Sequence, residues 1–227
     1  MSKTKNIISL IINAAIFVTT VFVLFFTLFF KADPLIKHGY ETFKFFTTDS
    51  NILSAIAALI VLIFQIRILT GKSKEIPRWA MILKYIGTTA VMVTFTVVMT
   101  FLGPIIYTYP FVLRNTMIYT HLFGPLLAFV SFWLFEPYYV IPKRVIHLAV
   151  IPTAVYGAVY LTEVLIIGEF DGWDDFYGFN TGGMWYLSVA MIILGTYILA
   201  IVIRLLHNHC TKKRIKKREE YADIKRQ

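Results

Sequence analysis

The sequence predicts an all-α polytopic membrane protein with six transmembrane helices and both termini in the cytoplasm. Of the 227 residues, 58% are hydrophobic and only 15% are charged, and the mean hydropathy is +0.70. Soluble domains contain fewer apolar and more charged residues. The apolar residues form six blocks, each of roughly 20 residues, about the length that a helix needs to cross ~30 Å of hydrocarbon. The polar stretches between them are short, which excludes a separate extramembrane catalytic domain.

We expect the spans at 6–30, 46–69, 80–102, 115–136, 147–167 and 185–206. The first block is too long for the apolar core of a signal peptide, and no small-residue cleavage pattern follows it, so it is expected to remain as a helix. Residues 1–207 are then one six-helix transmembrane domain, and 208–227 are a basic cytoplasmic tail. The single cysteine, Cys210, can form neither an internal disulfide nor a thiolate metal site by itself.

The distribution of Lys and Arg predicts the orientation. With the N-terminus inside, inner segments carry fifteen of these cations and outer loops carry four. Cationic loops are retained in the cytoplasm, so both termini are expected there, in a multi-pass protein of the cell membrane. The remaining cations, Arg67, Lys84 and Arg204, lie near inner helix ends, where they are expected to snorkel to the interface.

The net charge of +9 does not indicate nucleic acid as a partner. Most of the excess lies in the run 212–218, directly after a membrane helix. Anionic lipid headgroups bind such a segment at about 1 kcal/mol per basic residue near the surface. We therefore expect membrane lipids as partners of the tail.

Three ionisable residues lie at membrane depth in the outer half of the predicted bundle: Asp49, His121 and Glu163. An ionisable group near the bilayer centre costs about 3 kcal/mol or more unless it is paired or hydrated, so such residues mark functional sites. Under the predicted topology all three could face one cavity that opens to the outer leaflet.

A run of polar residues begins the second span. It consists of Thr47, Thr48, Asp49, Ser50 and Asn51. One interpretation is helix capping, because Ser, Thr, Asp and Asn are the preferred N-cap residues. A cap uses only one or two of the five, however, and the others continue into the span on successive faces. Some of them are then expected to point to the bundle interior or to water.

His121 also has two interpretations. A histidine in a transmembrane helix can simply hydrogen-bond a neighbouring helix. Alternatively, it can act as a general base that takes the proton of a Ser or Thr hydroxyl as this attacks an acyl carbon. Free N–H groups at the start of the second span could bind the resulting oxyanion. The residues for an acyl-transfer site are present, although spacing alone does not bring them together.

Two short patterns resemble a known family. Phe46, Thr47, Ser50 and Asn51 are spaced F-T-x-x-S-N, and His121 is followed four residues later by Pro125. Together with the six-span layout, they resemble the bacterial-type branch of the androgen-induced gene and ADTRP-like family of membrane threonine hydrolases. Animal members of that family hydrolyse fatty acid esters of hydroxy fatty acids.

The resemblance implies a lipid ester hydrolase with Thr47 as nucleophile and His121 as its base. Thr48, Asp49, Ser50, Asn51 and Glu163 are the candidates for stabilising the oxyanion or orienting His121. A carboxylate beside the imidazole would favour the imidazolium of the transition state. No cofactor and no metal site is implied, and the expected partner is an acyl ester or another membrane lipid.

Two other functions remain open. A small proton- or cation-coupled transporter or channel could use Asp49, His121 and Glu163 as a relay. Such a path must also cross the inner half of the bundle, where only small hydroxyls such as Thr94 and Ser131 interrupt the apolar sequence. A non-catalytic lipid-binding membrane protein could use the same pocket without a nucleophile.

Overall fold

The computed structural model describes residues 3–30 and 36–224, and this part contains helices and turns but no β strand. Six long helices form the bundle, and we number them in chain order. They are α1 (Lys3–Phe30), α2 (Phe46–Leu69), α3 (Arg78–Ile106), α4 (Tyr119–Phe135), α5 (Lys143–Ile167) and α6 (Trp185–Ile224). Short helical turns in the connections span Gly39–Lys44, Tyr109–Val112, Gly168–Asp171 and Thr181–Gly183.

Five of the described helices are long and apolar enough to cross a membrane, which supports the predicted class of multi-pass membrane protein. The helix α4 is shorter. At ~1.5 Å per residue it reaches about 26 Å, slightly less than the hydrocarbon thickness. The fourth span was expected from residue 115, but turns occupy residues 113–116 and the helical conformation begins at Met117. There Asn115 has a left-handed φ of 50°, and the amide of Met117 donates to the carbonyl of Arg114.

The start of α1 and the second half of α6 lie at the same end of the bundle, which we call the tail end. The hydroxyl of Tyr138, between α4 and α5, donates to Asn6 Oδ1 of α1 at 2.5 Å. The neighbouring carbonyl of Pro137 accepts a hydrogen bond from Arg214 of α6 at 3.1 Å. The segments 36–45, 107–118 and 168–184 connect the helices at the opposite end, which we call the loop end.

The largest apolar core lies towards the tail end. Its buried members include Tyr85 of α3, Phe132 of α4 and Ile203 of α6. The Tyr85 hydroxyl donates to the carbonyl of Ala200 at 2.7 Å, so a hydrogen bond also joins α3 to α6. Between membrane helices such side chains hold the bundle together by van der Waals packing, because lipid tails are as apolar as they are.

A buried polar cluster also lies near the tail end, where the sequence predicted only small hydroxyls. Lys84 Nζ donates to Asn13 Oδ1 at 2.7 Å, and Asn13 Nδ2 donates to Glu136 Oε1 at 2.6 Å. The hydroxyls of Ser9 and Ser131 donate to the same carboxylate oxygen at 3.1 and 2.6 Å. Lys84 is 0% exposed. The prediction that Lys84 snorkels to the interface is therefore wrong, because its ammonium is bound inside the bundle.

Candidate active site

Thr47 and His121 contact each other at the loop end. Thr47 lies in the first turn of α2, and His121 lies near the start of α4. Thr47 Oγ1 is 3.3 Å from Nε2 of His121. His121 is only 7% exposed, and Thr47 is half-buried. The hydroxyl and the imidazole that the sequence singled out therefore form a hydrogen bond between two helices.

The other ring nitrogen of His121 decides which nitrogen faces Thr47. His121 Nδ1 lies 2.6 Å from the carbonyl oxygen of Val112. A carbonyl only accepts hydrogen bonds, so Nδ1 carries the proton and Nε2 of the neutral ring is an acceptor. The Thr47 hydroxyl then donates to Nε2. This is the arrangement that a general base needs in order to activate a hydroxyl nucleophile.

His121 lies in a widened turn of α4. Residues Tyr119–Phe123 are π-helical, and the amide of Gly124 donates to the carbonyl of Tyr119. Pro125 follows directly and has no amide hydrogen to give to the helix. A proline at this position is expected to distort the helix near His121, and the π-helical turn is that distortion. Single π turns inside α-helices occur frequently at functional sites.

Asn51 joins α2 to α4 beside the Thr47–His121 pair. Its Nδ2 donates to the carbonyl of Thr47 at 2.8 Å and to that of Thr120 at 3.1 Å. Gly124 permits this approach, since a Cβ there would lie 3.0 Å from Asn51 Oδ1 and 2.8 Å from the Tyr119 carbonyl. Both amide hydrogens of Asn51 are used, which supports a positioning role rather than oxyanion binding.

Ser50 and Thr48 also form contacts within the bundle. Ser50 Oγ is buried and lies 3.1 Å from the Thr47 carbonyl and 2.8 Å from Thr94 Oγ1 of α3. Thr48 Oγ1 lies 2.8 Å from Thr42 Oγ1 in the preceding loop. These hydrogen bonds fix the start of α2 against α3 and against the loop end.

None of the five polar residues is the N-cap of α2. Phe45 occupies the N-cap position with extended backbone and without a side-chain cap. Its carbonyl accepts the amides of Thr48 and Asp49 at 3.0 and 3.4 Å. The capping interpretation is therefore wrong. Among the described residues, the backbone amide of Thr47 forms no backbone hydrogen bond at this helix start, which leaves a first-turn N–H group available beside the Thr47 hydroxyl.

Tyr177, in the loop between α5 and α6, lies beside Thr47 and was missed by the sequence interpretation. Its hydroxyl accepts the amide of Phe46 at 3.1 Å, and Tyr177 lines the same cavity as Thr47. Desolvation raises the pKa of the Tyr177 hydroxyl. The group is therefore protonated at neutral pH and able to donate a hydrogen bond.

Asp49 and Glu163, the two carboxylates expected to orient His121, lie away from the pair. Asp49 is exposed and lines a different pocket with Ile151 and Val155 of α5. Glu163 lies near the end of α5 and does not line the cavity that contains Thr47 and His121. The carbonyl of Val112 holds the ring instead. A backbone carbonyl has no signal in the sequence, and the position of Tyr177 depends on how its loop folds over α2.

A small cavity borders the pair at the loop end. Its volume is about 60 Å³, room for about two water molecules. The walls come from the second half of α1, the starts of α2 and α4, and the connections at the loop end, with His121 and Thr47 among mostly apolar and aromatic side chains. Hydroxyls of Thr116 and Thr120 add polar partners that water needs.

The site thus brings together the Thr47 hydroxyl, the His121 imidazole, the Val112 carbonyl that fixes the imidazole ring and the Tyr177 hydroxyl. Comparison with known proteins does not assign the chain to a family. No protein-family model, no curated protein and no solved structure matches the chain significantly.

Proposed function

We propose that this protein hydrolyses a fatty-acyl ester within the membrane, with Thr47 as nucleophile and His121 as general base. One observation carries the proposal: Thr47 Oγ1 lies 3.3 Å from Nε2 of His121, while Nδ1 is bound to the Val112 carbonyl. The family resemblance of the F-T-x-x-S-N pattern supports the same residues in the same roles. No cofactor is needed for this chemistry.

In the first half of the reaction Thr47 Oγ1 attacks the ester carbon while Nε2 of His121 accepts the hydroxyl proton. The imidazolium returns that proton to the alkoxide that leaves, and an acyl-threonine ester remains. In the second half a water molecule gives a proton to Nε2 and attacks the acyl carbon. The carboxylic acid is released, and Thr47 recovers its proton. We assign oxyanion stabilisation to the Thr47 amide and the Tyr177 hydroxyl.

Tyr177→Phe tests this assignment. The variant keeps the ring and loses the hydroxyl, so kcat is expected to fall about 10²-fold while KM changes little, because the lost hydrogen bond forms mainly in the transition state. The measurement is hydrolysis of an acyl ester by purified protein in lipid. Tyr186→Phe, on an exposed tyrosine of α6, is the matched control. An unchanged kcat in Tyr177→Phe contradicts the oxyanion role.

We further propose that α4 also crosses the membrane, which gives six spans in total. We also propose that the tail end lies in the cytoplasm of a cell-membrane protein. The asymmetry of fifteen cations inside against four outside supports this orientation. The basic residues of 212–217 continue α6 as a helix beyond the apolar part, with Lys212, Lys213 and Lys216 exposed. They are placed to bind anionic headgroups at the inner surface.

Cysteine accessibility checks the orientation. On a background without Cys210, single cysteines at 172–180 are expected to react with an impermeant maleimide on intact cells. Cysteines at 212–224 are expected to react only after permeabilisation. External labelling of the 212–224 positions would reverse the orientation and place Thr47 at the inner leaflet.

A proton or cation relay is the second candidate, and the buried cluster around Lys84 and Glu136 favours it. This cluster supplies polar groups to the half of the bundle where the sequence offered few. Between it and Thr47, the hydroxyls of Ser54 and Thr88 are buried without a hydrogen-bond partner among the described residues. A relay predicts proton flux in vesicles that depends on Glu136 but not on Thr47. A non-catalytic lipid-binding protein predicts neither flux nor turnover.

A further inference from the structure

A long apolar groove lies between α3 and α6, on the other side of Thr47 from His121. Its volume is about 410 Å³, within the range of sites that bind small molecules. The α3 wall runs along 93–101 and the α6 wall along 188–199, with Phe179 of the outer loop at the loop end. The Tyr85–Ala200 hydrogen bond joins the two helices below the groove. Met191 and Ile198 on its rim are 67% and 53% exposed, so the groove opens sideways to lipid.

A second cavity lies between this groove and Thr47. It has a volume of about 50 Å³ and shares Val93, Val97, Phe179 and Ile192 with the groove. At its other end it is lined by Thr47 and by residues of the His121 cavity. Only the side chains shared by the two cavities therefore separate the lipid-facing groove from the space next to Thr47.

The groove offers a polar ligand no charged group and no free hydroxyl hydrogen. Its walls contain no charged side chain, and each of its four hydroxyls already donates to a backbone carbonyl. The donors are Thr96, Thr100, Thr196 and Ser188. The lining therefore favours an occupant that binds by van der Waals contact, such as a flexible hydrocarbon chain.

We propose that this groove binds the acyl chain of the ester substrate, which enters sideways from the bilayer between α3 and α6. The inference rests on the proposed hydrolase function and specifies its substrate as an ester of a long, unbranched fatty acid. The acyl chain lies along α6, and its carbonyl carbon passes through the second cavity to Thr47. The alcohol part of the ester then lies on the His121 side, where the cavity contains hydroxyl groups.

Two glycines leave empty space in the groove and in the second cavity. Gly195 lines the groove and Gly157 lines the second cavity, and a Cβ built on either would meet no atom within 4 Å. Side chains at these positions therefore fill that space without a clash in the surrounding structure. Gly195→Leu blocks the distal groove, and Gly157→Leu blocks the part next to Thr47.

The first test is the chain-length preference of the full-length protein in phosphatidylcholine vesicles, measured with p-nitrophenyl butyrate and palmitate. We expect the palmitate-to-butyrate ratio of kcat/KM to fall about ten-fold or more in Gly195→Leu, because only the longer chain reaches that position. Ala190→Leu places the same side chain at an exposed position of α6 outside the groove and is expected to keep the wild-type ratio. An unchanged ratio in Gly195→Leu overturns the proposal.

The second test does not need turnover. A palmitoyl ester with a terminal diazirine is photolysed with the Thr47→Ala protein in the same vesicles, and adducts are mapped by mass spectrometry. We expect adducts within 93–101 and 188–199 that decrease when Gly195→Leu is added and persist with Ala190→Leu.

The two tests separate the two proposals. Groove adducts without ester turnover in the wild-type protein would refute the hydrolase and support the chain site. Turnover with adducts elsewhere and an unchanged chain-length ratio would refute the chain site and support the hydrolase. The absence of both turnover and groove adducts would refute both.

Discussion

Thr47→Ala is expected to lower kcat for a long-chain acyl ester about 10³-fold or more, because it removes the atom that attacks the substrate. The fold should tolerate the change. Thr47 is half-buried, and its hydroxyl makes one neutral hydrogen bond to His121, worth about 0.5 to 1.5 kcal/mol. Activity and the midpoint of thermal unfolding are measured together in lipid. Thr162→Ala, which removes an exposed hydroxyl of α5, is the control.

The related variants give the prediction its specificity. Thr47→Ser keeps an attacking hydroxyl and should retain part of the activity. His121→Ala should be about as damaging as Thr47→Ala, and the double variant little worse than either, as expected for two residues that act as a unit. Independent, multiplicative losses would contradict the pairing. Full activity in Thr47→Ala would show that another group attacks the ester.

Lys84→Met should cause the largest loss of stability, about 3 to 5 kcal/mol, because it removes the cation from a buried cluster that contains the Glu136 carboxylate. Lys84 and Glu136 are both 0% exposed, and Asn13 bridges them. The free energy of unfolding is measured by denaturant titration in mixed micelles. Lys72→Met, on an exposed cation in the loop after α2, should change it by less than about 0.5 kcal/mol.

The double variant Lys84→Met with Glu136→Gln separates charge pairing from simple packing. If the two charges compensate each other, its loss of stability is smaller than the sum of the single losses. Additive losses would mean that each residue acts alone. A Lys84→Met protein of normal stability with altered proton flux in vesicles would favour the relay over a structural role.

The positions of the helices follow largely from the sequence because hydrophobicity is a local property of the chain. The blocks at 6–30 and 46–69 agree closely with α1 and α2. The start of α4 is less predictable. Hydrophobicity alone starts the span at residue 115, whereas Arg114 and Asn115 lie in turns before the helix. The pairing of Thr47 with His121 was expected from the family resemblance, and the predicted topology places both residues near the same end of the bundle.

Other features depend on tertiary structure and leave no local pattern. A single lysine near a helix end has the same sequence context whether it snorkels or is buried, so Lys84 was misinterpreted. Its partner Asn13 lies in α1, 71 positions away in sequence. Tyr177 belongs to an aromatic loop that equally fits an interfacial anchor. Its position beside Thr47 arises only when that loop packs over the start of α2.

The central claim is that Thr47 is a nucleophile activated by His121, and covalent trapping tests it most directly. The full-length protein in native membranes is treated with a long-chain alkyl fluorophosphonate, and the modified residue is identified by tandem mass spectrometry. We expect the phosphonyl group on Thr47 in the wild-type protein and little modification in His121→Ala. A phosphonyl group on another residue, or no adduct in a protein that still turns over acyl esters, would contradict the claim.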